Sequence, residues 1–318
     1  FVGFKAGQGI DGAKLTGNHN VAVGANAGLL LQGAAAENTV VGTDSGDAIT
    51  TGTRTVAVGY NAGGGITTGD SNVAIGWQAL LTEDAHSNNV AVGASALQTQ
   101  NAGAHAYNVA VGFEAGKLLT TGLRNNLLGG LAGDALTDGN DNVAIGYQAL
   151  TADQQGDNSV AIGVNALFTQ NGTNGSVYNV AVGKSAGFAI STGVQNTFVG
   201  GLAGDGTDDG TNNVAVGFEA LSANCGSGNT ALGTRAGKAL TGDNNTLVGL
   251  NAGTALTSGD DNIAIGQGAL ANEDTGTNAT AVGVSALGTQ NYNGDTHNTA
   301  IGHNALSATS TGRLNTAV

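Results

Sequence analysis

The sequence predicts an all-β fold, a β-solenoid or parallel β-roll of about 18 coils with a repeat of about 17 residues. Three observations carry that expectation. First, the string Asn-x-Ala-Val/Ile-Gly-x-x-Ala-Leu/Gly recurs from end to end, as in Asn89–Leu97, Asn142–Leu150 and Asn298–Leu306. Its glycines fall at 3, 24, 42, 59, 76, 93, 112, 129, 146, 163, 183, 200, 217, 233, 249, 266, 283 and 302, and more than half of the intervals have one identical length, that of Gly42 to Gly59. Second, the apolar residues before each glycine alternate with period two, which is strand patterning and not helical spacing. Third, Gly is 56 of 318 residues while Pro is absent and Gly is not every third residue, so the glycine is not collagen's.

Each element of the repeat has a physical reading. Asn-Val-Ala-Val is a short strand with Val, Ile or Thr on one face and Ala beside Asn on the other. The motif glycine (Gly93, Gly146 and Gly163 are examples) permits a tight turn or positive φ where the strand ends. Three residues on stands Ala in 17 of 18 copies, Ala149 among them, with Ser45 the exception. That row marks a narrow interior, and the Ala of the strand is read the same way, so that Ala161→Phe is expected to disrupt a coil. Runs such as Thr137–Asp141 and Thr257–Asp261 are turn chemistry. The Asn four before the glycine, for example Asn142, departs only to Thr55, Ser159 and Ala279, and its stacking predicts a structural ladder of amide hydrogen bonds.

A longer period overlies the short one. Asn108–Leu150 reappears in order as Asn179–Leu221, an offset of about four coils, so residues 1–318 read as one continuous repeat array. Three coils are lengthened, and each insertion begins alike: Thr99-Gln100-Asn101, Thr169-Gln170-Asn171 and Thr289-Gln290-Asn291. With them travel Tyr107, Tyr178 and Tyr292, and the histidines His105 and His297. Protruding Tyr among adaptable polar neighbours is recognition chemistry, so Gln100, Asn101, His105, Tyr107, Gln170, Asn171, Tyr178, Gln290, Asn291 and Tyr292 are the candidate receptor-contact residues.

Composition bounds the rest. A formal charge of −14, with nine Lys plus Arg, argues against nucleic acid and anionic membranes as partners. No apolar run is long enough to span a bilayer, so no direct membrane insertion is expected. The single cysteine, Cys225, sits in a Gly/Ser/Asn stretch and reads as incidental, with an inter-chain bond as the alternative. Aromatics are only 4% of residues, so one chain buries little large apolar area, and association of several chains, most simply a homotrimer, would cover the remaining Val/Ile row.

Catalytic chemistry finds no footing, and no enzyme is expected. Glu114 and Glu219 share a repeat slot that holds Gln78, Gln148 and Gln267 elsewhere, which is not a unique acid site. Gly63–Gly65 lacks a phosphate-loop Lys. No cofactor is expected; calcium is the weak alternative, with Asp138, Asp141, Asp208, Asp209, Asp260 and Asp261 as its candidate ligands.

Asn158-Ser159-Val160-Ala161-Ile162-Gly163 resembles the Asn-Ser-Val-Ala-Ile-Gly hallmark of the head repeats of YadA-like trimeric autotransporter adhesins. The chain is more similar still to the Asn-Thr-Ala-Val/Ile-Gly-Tyr-Gln-Ala-Leu arrays of phage and bacterial tail-fibre-type proteins. Asn142–Leu150 differs from that string only at Val143, and Asn298–Leu306 only at His303 and Asn304. The resemblance covers essentially the whole chain and implies a trimer of parallel left-handed β-rolls, although the coil here is longer than in those heads. The register runs from Phe1-Val2-Gly3 to Asn315–Val318, so a segment of a longer fibre is expected. The expectation for function is therefore a structural and adhesive fibre segment, extracellular or on a virion, that acts as a rigid spacer with loops for a host receptor or polysaccharide. Two alternatives stand beside it: a self-assembling extracellular filament or sheath, and a solenoid that binds ice or a crystal surface through the threonines three before the motif glycine.

Overall fold

The computed structural model describes residues 1–9, 14–172 and 175–318, and it is a parallel β-solenoid with no helix among the described residues. The chain forms two compact units, Phe1–Ser159 with Asn171–Ser176, and Val160–Gln170 with Val177–Val318. The first unit contains β1 (Val21–Val23), β2 (Thr39–Val41), β3 (Val56–Val58), β4 (Val73–Ile75), β5 (Val90–Val92), β6 (Val109–Val111), β7 (Asn126–Leu128) and β8 (Val143–Ile145). Each pairs in parallel with the next, motif on motif: Ala22 faces Val40, Ala57 faces Ala74, Leu127 faces Ala144. A short second pairing joins β9 (Gly156–Asp157) to β11 (Gly175–Ser176). The second unit contains β10 (Val160–Ile162), β12 (Val180–Val182), β13 (Thr197–Val199), β14 (Val214–Val216), β15 (Thr230–Leu232), β16 (Thr246–Val248), β17 (Ile263–Ile265), β18 (Thr280–Val282), β19 (Thr299–Ile301) and β20 (Thr316–Ala317), again paired in parallel and in sequence order.

Three residues suffice for a strand because each coil needs only one inward side chain there. The central residue of every three-residue strand is buried and its two neighbours point outward, as the alternation demands. The turn that follows explains the glycine. At Gly93, φ is +137°, and a Cβ there would lie 2.2 Å from the Gly112 carbonyl oxygen of the next coil. Backbone stacking on backbone leaves no room for a side chain.

The row three after the glycine is buried from Ala27 to Ala286, Ala149 included. Where Ser45 stands in it, the hydroxyl donates to the Ala57 carbonyl at 2.7 Å and so meets its need inside the wall. The central strand row, by contrast, is not uniformly narrow, which corrects the expectation drawn from its alanines. Phe198 lies in it fully buried, as do Val40, Leu127 and Leu247.

A volume rule accounts for those exceptions. The position four after the motif glycine is Gly or Leu, always left-handed, with φ +56° at Gly28 and +50° at Leu80. Where it is Gly, the residue three further on is a buried Leu or Ile that fills the vacated space: Leu31, Ile49, Ile66, Leu119, Leu136, Ile190, Leu240 and Leu256. A Cβ on Gly28 would sit 2.6 Å from Leu31 Cδ1, and one on Gly133 2.8 Å from Leu136 Cδ1. Thr207 takes this place in the Gly200 coil, where Phe198 has claimed the volume. Where Leu comes first, the later position is polar or small.

Two successive Gly coils open enough space for a large central residue between them. Phe198 is clasped by Gly187 and Gly204, whose added Cβ atoms would lie 3.0 and 2.6 Å from its ring, and Leu247 fits between Gly237 and Gly253 in the same way. Between two Leu coils the central residue is Ala, as at Ala91 and Ala281. The duplicated stretch repeats the interior choices as well: Gly116, Gly133 and Leu150 return as Gly187, Gly204 and Leu221. Cys225 belongs to the interior too: it is buried with its sulfur 3.2 Å from Thr207 Oγ1, not at a turn tip, and burial pushes its thiol pKa up, away from a reactive thiolate.

Candidate functional site

Two features of the surface qualify as candidates: the lengthened coils and the outward face of the strands. Both rest on ladders that use the polar side chains for structure. At the ladder Asn, the side-chain Oδ1 accepts the backbone N–H of the next rung, while Nδ2 donates to a carbonyl of the turn that precedes that rung. Asn142 shows the pattern: Ser159 N–H donates to its Oδ1 at 2.9 Å and its Nδ2 donates to Gly156 O at 2.7 Å. The sequence expectation of a side-chain amide ladder is therefore refined to a side-chain-to-backbone ladder, with amide-to-amide bonds such as Asn262 Nδ2 to Asn245 Oδ1 at 3.1 Å added in places.

A second ladder runs with the opposite polarity two residues earlier. There the side chain of one coil accepts from the backbone of the coil before it: Asp70 from Thr53 N–H, Asn140 from Leu123 N–H, Asp260 from Asp243 N–H. This explains much of the turn acidity. Asp260 takes part in it at 2.7 Å, Asp138 accepts the Thr137 hydroxyl at 2.9 Å, and Asp208 accepts the Ser191 hydroxyl. Asp141 is held by Arg124 through two bonds of 2.6 and 2.7 Å, which lower its pKa below the ordinary carboxylate value. Asp209 and Asp261 are exposed. Among the described residues no three His, Cys, Asp or Glu converge as a metal site would require.

The candidate contact residues divide into inside and outside. Gln100, Gln170 and Gln290 are buried, which corrects their expected role at the surface. Each bridges the interior of its lengthened coil to the ladder: Asn108 Nδ2 donates to Gln100 Oε1 at 2.7 Å, Asn179 to Gln170 at 2.9 Å, Asn298 to Gln290 at 2.7 Å. Sequence alone cannot tell a long polar side chain that faces out from one that spans a coil. Asn101, Asn171, His105 and Asn291 are exposed.

Tyr107 and Tyr178 are about half exposed, but they do not belong to the inserted segments. They occupy the regular left-handed slot before the ladder Asn, with φ +53° and +55°, a slot that holds Arg54, Arg124 and Leu314 in other coils. His105 lies edge-on to Tyr107, ring centroids 6.5 Å apart. Tyr292 does lie in an insertion; its N–H donates to Glu273 Oε1 at 3.2 Å and its hydroxyl receives Arg313 Nη1 at 3.4 Å. Beside it an open depression of about 220 Å³ is lined by Asp295, His297, Arg313 and Leu314. The Asp295 carboxylate accepts the Thr277 hydroxyl at 2.7 Å, and that bond, with the charges of His297 and Arg313, holds its pKa below the usual range.

The other candidate is the outward strand face. In the first unit Val23, Ile75, Val111, Leu128 and Ile145 stand in one row just before the motif glycine, each 38% exposed. The position after the glycine adds exposed Tyr60, Trp77, Phe113 and Tyr147. The second unit repeats the arrangement with Val199, Val216, Leu232, Ile265 and Ile301, and with Phe218. The glycines help to form it: Tyr147 lies across Gly130, and Phe218 across Gly201, at 3.5 Å from where a Cβ would stand. The Val/Ile row was visible in the sequence; the aromatic row beside it was missed, although its slot is plain once the coils are aligned. Threonine shares the outward face but does not run continuously: Thr39 is followed by Val56, Val73, Val90, Val109, Asn126 and Val143.

Ion pairs on the surface are few among the described residues. Glu219 is bonded by Lys238 at 2.7 Å and Arg235 at 2.9 Å, and Glu114 by Lys117 at 2.9 Å. No helix among the described residues is long and apolar enough to cross a membrane. The chain matches no protein-family model, and no curated protein matches it.

Proposed function

We propose that this chain is a structural and adhesive stretch of a fibre, in which copies associate through the apolar strip, most simply as a homotrimer, and display the lengthened coils outward. The observation that carries the reading is the strip itself. Val, Ile and Leu before each motif glycine, flanked by Tyr60, Trp77, Phe113 and Tyr147, stay partly exposed while the central residues of the three-residue strands are buried. Contiguous apolar rows of this kind favour burial against a partner, and a partner with the same axial period matches them coil for coil.

Many of the carboxylates serve ladders, turns and ion pairs, which supports a spacer with attachment loops over an enzyme. The expected setting is extracellular or on a virion, where a high negative charge keeps a long assembly soluble. The partners at the loops would be a cell-surface receptor or polysaccharide, engaged many times along the fibre at low affinity per contact.

The native mass in solution tests the reading. Light scattering should give about three times the 30.8 kDa of one chain. The Ile75→Lys/Ile145→Lys double variant should lower that mass while keeping the β-sheet signal, since neither side chain supports its own coil. A wild-type chain that is monomeric at every concentration overturns it.

A further inference from the structure

Among the described residues three carboxylates are fully buried, Glu83, Asp153 and Glu273. No buried Lys or Arg accompanies them. Each lies one coil length before the Gln of a Thr-Gln-Asn coil: Gln100, Gln170 and Gln290. The Gly217 coil also carries Leu, at Leu221, but the coil after it is not lengthened, and in place of an acid it has Asn224-Cys225. A buried acid and a following insertion therefore occur together in all three cases.

The bonds supply the reason. Glu273 Oε1 accepts the N–H groups of Asp274, Gly276 and, from the following coil, Tyr292, at 3.2, 2.9 and 3.2 Å. Its Oε2 accepts Gln290 Nε2 at 2.6 Å, and Gln290 Oε1 in turn accepts Asn298 Nδ2 at 2.7 Å. Asp153 Oδ1 repeats the forward reach, accepting from Gly156 N–H at 2.9 Å and from Gly172 N–H, inside the insertion, at 3.2 Å. Glu83 collects Asp84 N–H, His86 N–H and His86 Nδ1 at 3.2, 3.2 and 2.9 Å, and Asn89 Nδ2 at 3.4 Å. An inserted segment leaves the regular coil-on-coil pairing, so its first N–H groups need another acceptor. A carboxylate beneath them offers several lone pairs at one point, which no Leu or Ile in that place can do.

We infer that a buried acid that reaches forward is a seat that fixes the lengthened coil above it: Glu273, with Gln290, is the positioning residue for the Tyr292 loop and Asp153 for the loop at Gly172, whereas Glu83 gathers groups of its own coil. The seat sets where along the repeat a loop can stand and in what shape it is held. The inference concerns the free chain and does not depend on what the loops bind.

Hydrogen exchange on the intact chain tests it. Glu273→Gln keeps the size but turns an acceptor toward Gln290 into a donor. Exchange across residues 290–296 should rise by about 10- to 100-fold while residues 230–260 keep their protection. The exposed control Asp261→Asn should change neither region. A rise confined to residues 272–276, with 290–296 unchanged, overturns the inference. A second arm removes Asn293 and Gly294, which brings the Gly283-to-Gly302 interval to the length of the regular Gly266-to-Gly283 interval. In that shortened chain the melting cost of Glu273→Gln should fall by at least half; an equal cost in both backgrounds overturns the inference. Should Glu273→Gln not fold at full length, recovery of folding in the shortened chain supports the seat, and failure in both overturns it.

Discussion

The coils around Phe198 and those around Ala91 enclose the same cross-section in two ways. Around Phe198, Gly187 and Gly204 give up their side chains and a central aromatic takes the volume. Around Ala91, Leu80 and Leu97 fill the interior from left-handed backbone and the strand contributes only a methyl. The Leu solution carries a conformational cost, because a branched side chain at positive φ is disfavoured by roughly 1–2 kcal/mol. It also leaves the later position free for a polar group, and that is where Glu83 and Gln100 stand. The Gly solution fills that later position with Leu or Ile, Thr207 excepted. The difference teaches that the buried carboxylates, and with them the lengthened coils that follow, are confined to one packing type.

The largest expected effect comes from emptying the Gly-type interior. Phe198→Ala removes a ring that nothing nearby can replace and should cost about 4 kcal/mol, seen as a fall in the thermal midpoint. Adding Thr207→Leu, which restores the usual apolar residue of a Gly coil, should recover part of the loss. A Phe198→Ala chain that melts with the wild type would remove the volume rule altogether.

Next in size is a like-for-like substitution in the two settings. Ala57 lies between Gly46 and Gly63, Ala91 between Leu80 and Leu97. Ala57→Leu should be tolerated within about 1 kcal/mol, as Leu127 and Leu247 show for that setting, whereas Ala91→Leu should cost about 2–3 kcal/mol by overpacking. Equal melting of the two variants would mean that the flanking residues do not govern the central volume.

The repeat, the strand and the turning glycine were legible in the sequence because each depends on residues within a few positions of one another. The alanine row was misread because its tolerance is set one coil away: Ala161 and Phe198 share a slot, and only Gly187 and Gly204 distinguish their surroundings. The Gly-or-Leu choice was in plain view, but its partner three residues later acquires meaning only when both are known to face one cavity. Gln100, Gln170 and Gln290 were assigned to the surface for the same reason. Their polarity suggested water, while the donor that each Oε1 takes is the Asn of its own coil, and Gln290 Nε2 donates to the Glu273 below. The loop tyrosines were half legible: Tyr292 belongs to its insertion, but Tyr107 and Tyr178 fill a slot present in every coil.

Glu83 and Glu219 are shifted in opposite directions. Burial raises the Glu83 pKa above its ordinary value, with His86 pulling it partly back. A raised carboxylate favours the fold while it is protonated, so its contribution is complete below the unfolded pKa and is lost as pH rises through the folded one. Glu83→Gln should therefore gain on the wild type as pH rises above about 4.5. Glu219 is the opposite case, lowered by Lys238 and Arg235 on the surface, so that Glu219→Gln should lose ground as pH rises. Melting curves of the three chains between about pH 3 and about 7 test both signs, the Glu219 change falling below about 4.5 and the Glu83 change above it, and parallel drifts would show that the Leu-type interior does not cost its acid anything.

The smallest effect tests what the two coil types share. The Asn ladder passes through both, and Thr55 is a flaw in it. Thr55 N–H is satisfied by Asn38 Oδ1 at 2.9 Å, but its own hydroxyl is buried without a partner. Asn38, one coil earlier, shows what the slot can do: it serves the Thr55 amide with Oδ1 and reaches the Gly52 carbonyl with Nδ2 at 2.8 Å. Thr55→Asn places the same two groups opposite the Asn72 amide and the Gly69 carbonyl. One satisfied buried group in place of an orphan should stabilise by about 1 kcal/mol, a rise in melting midpoint of about 2 °C for a chain of this size. The Asn72 amide should exchange more slowly as well, because the new Oδ1 is its acceptor. A lower midpoint, or unchanged exchange at Asn72, would mean that the rungs act singly and that the ladder carries nothing from coil to coil.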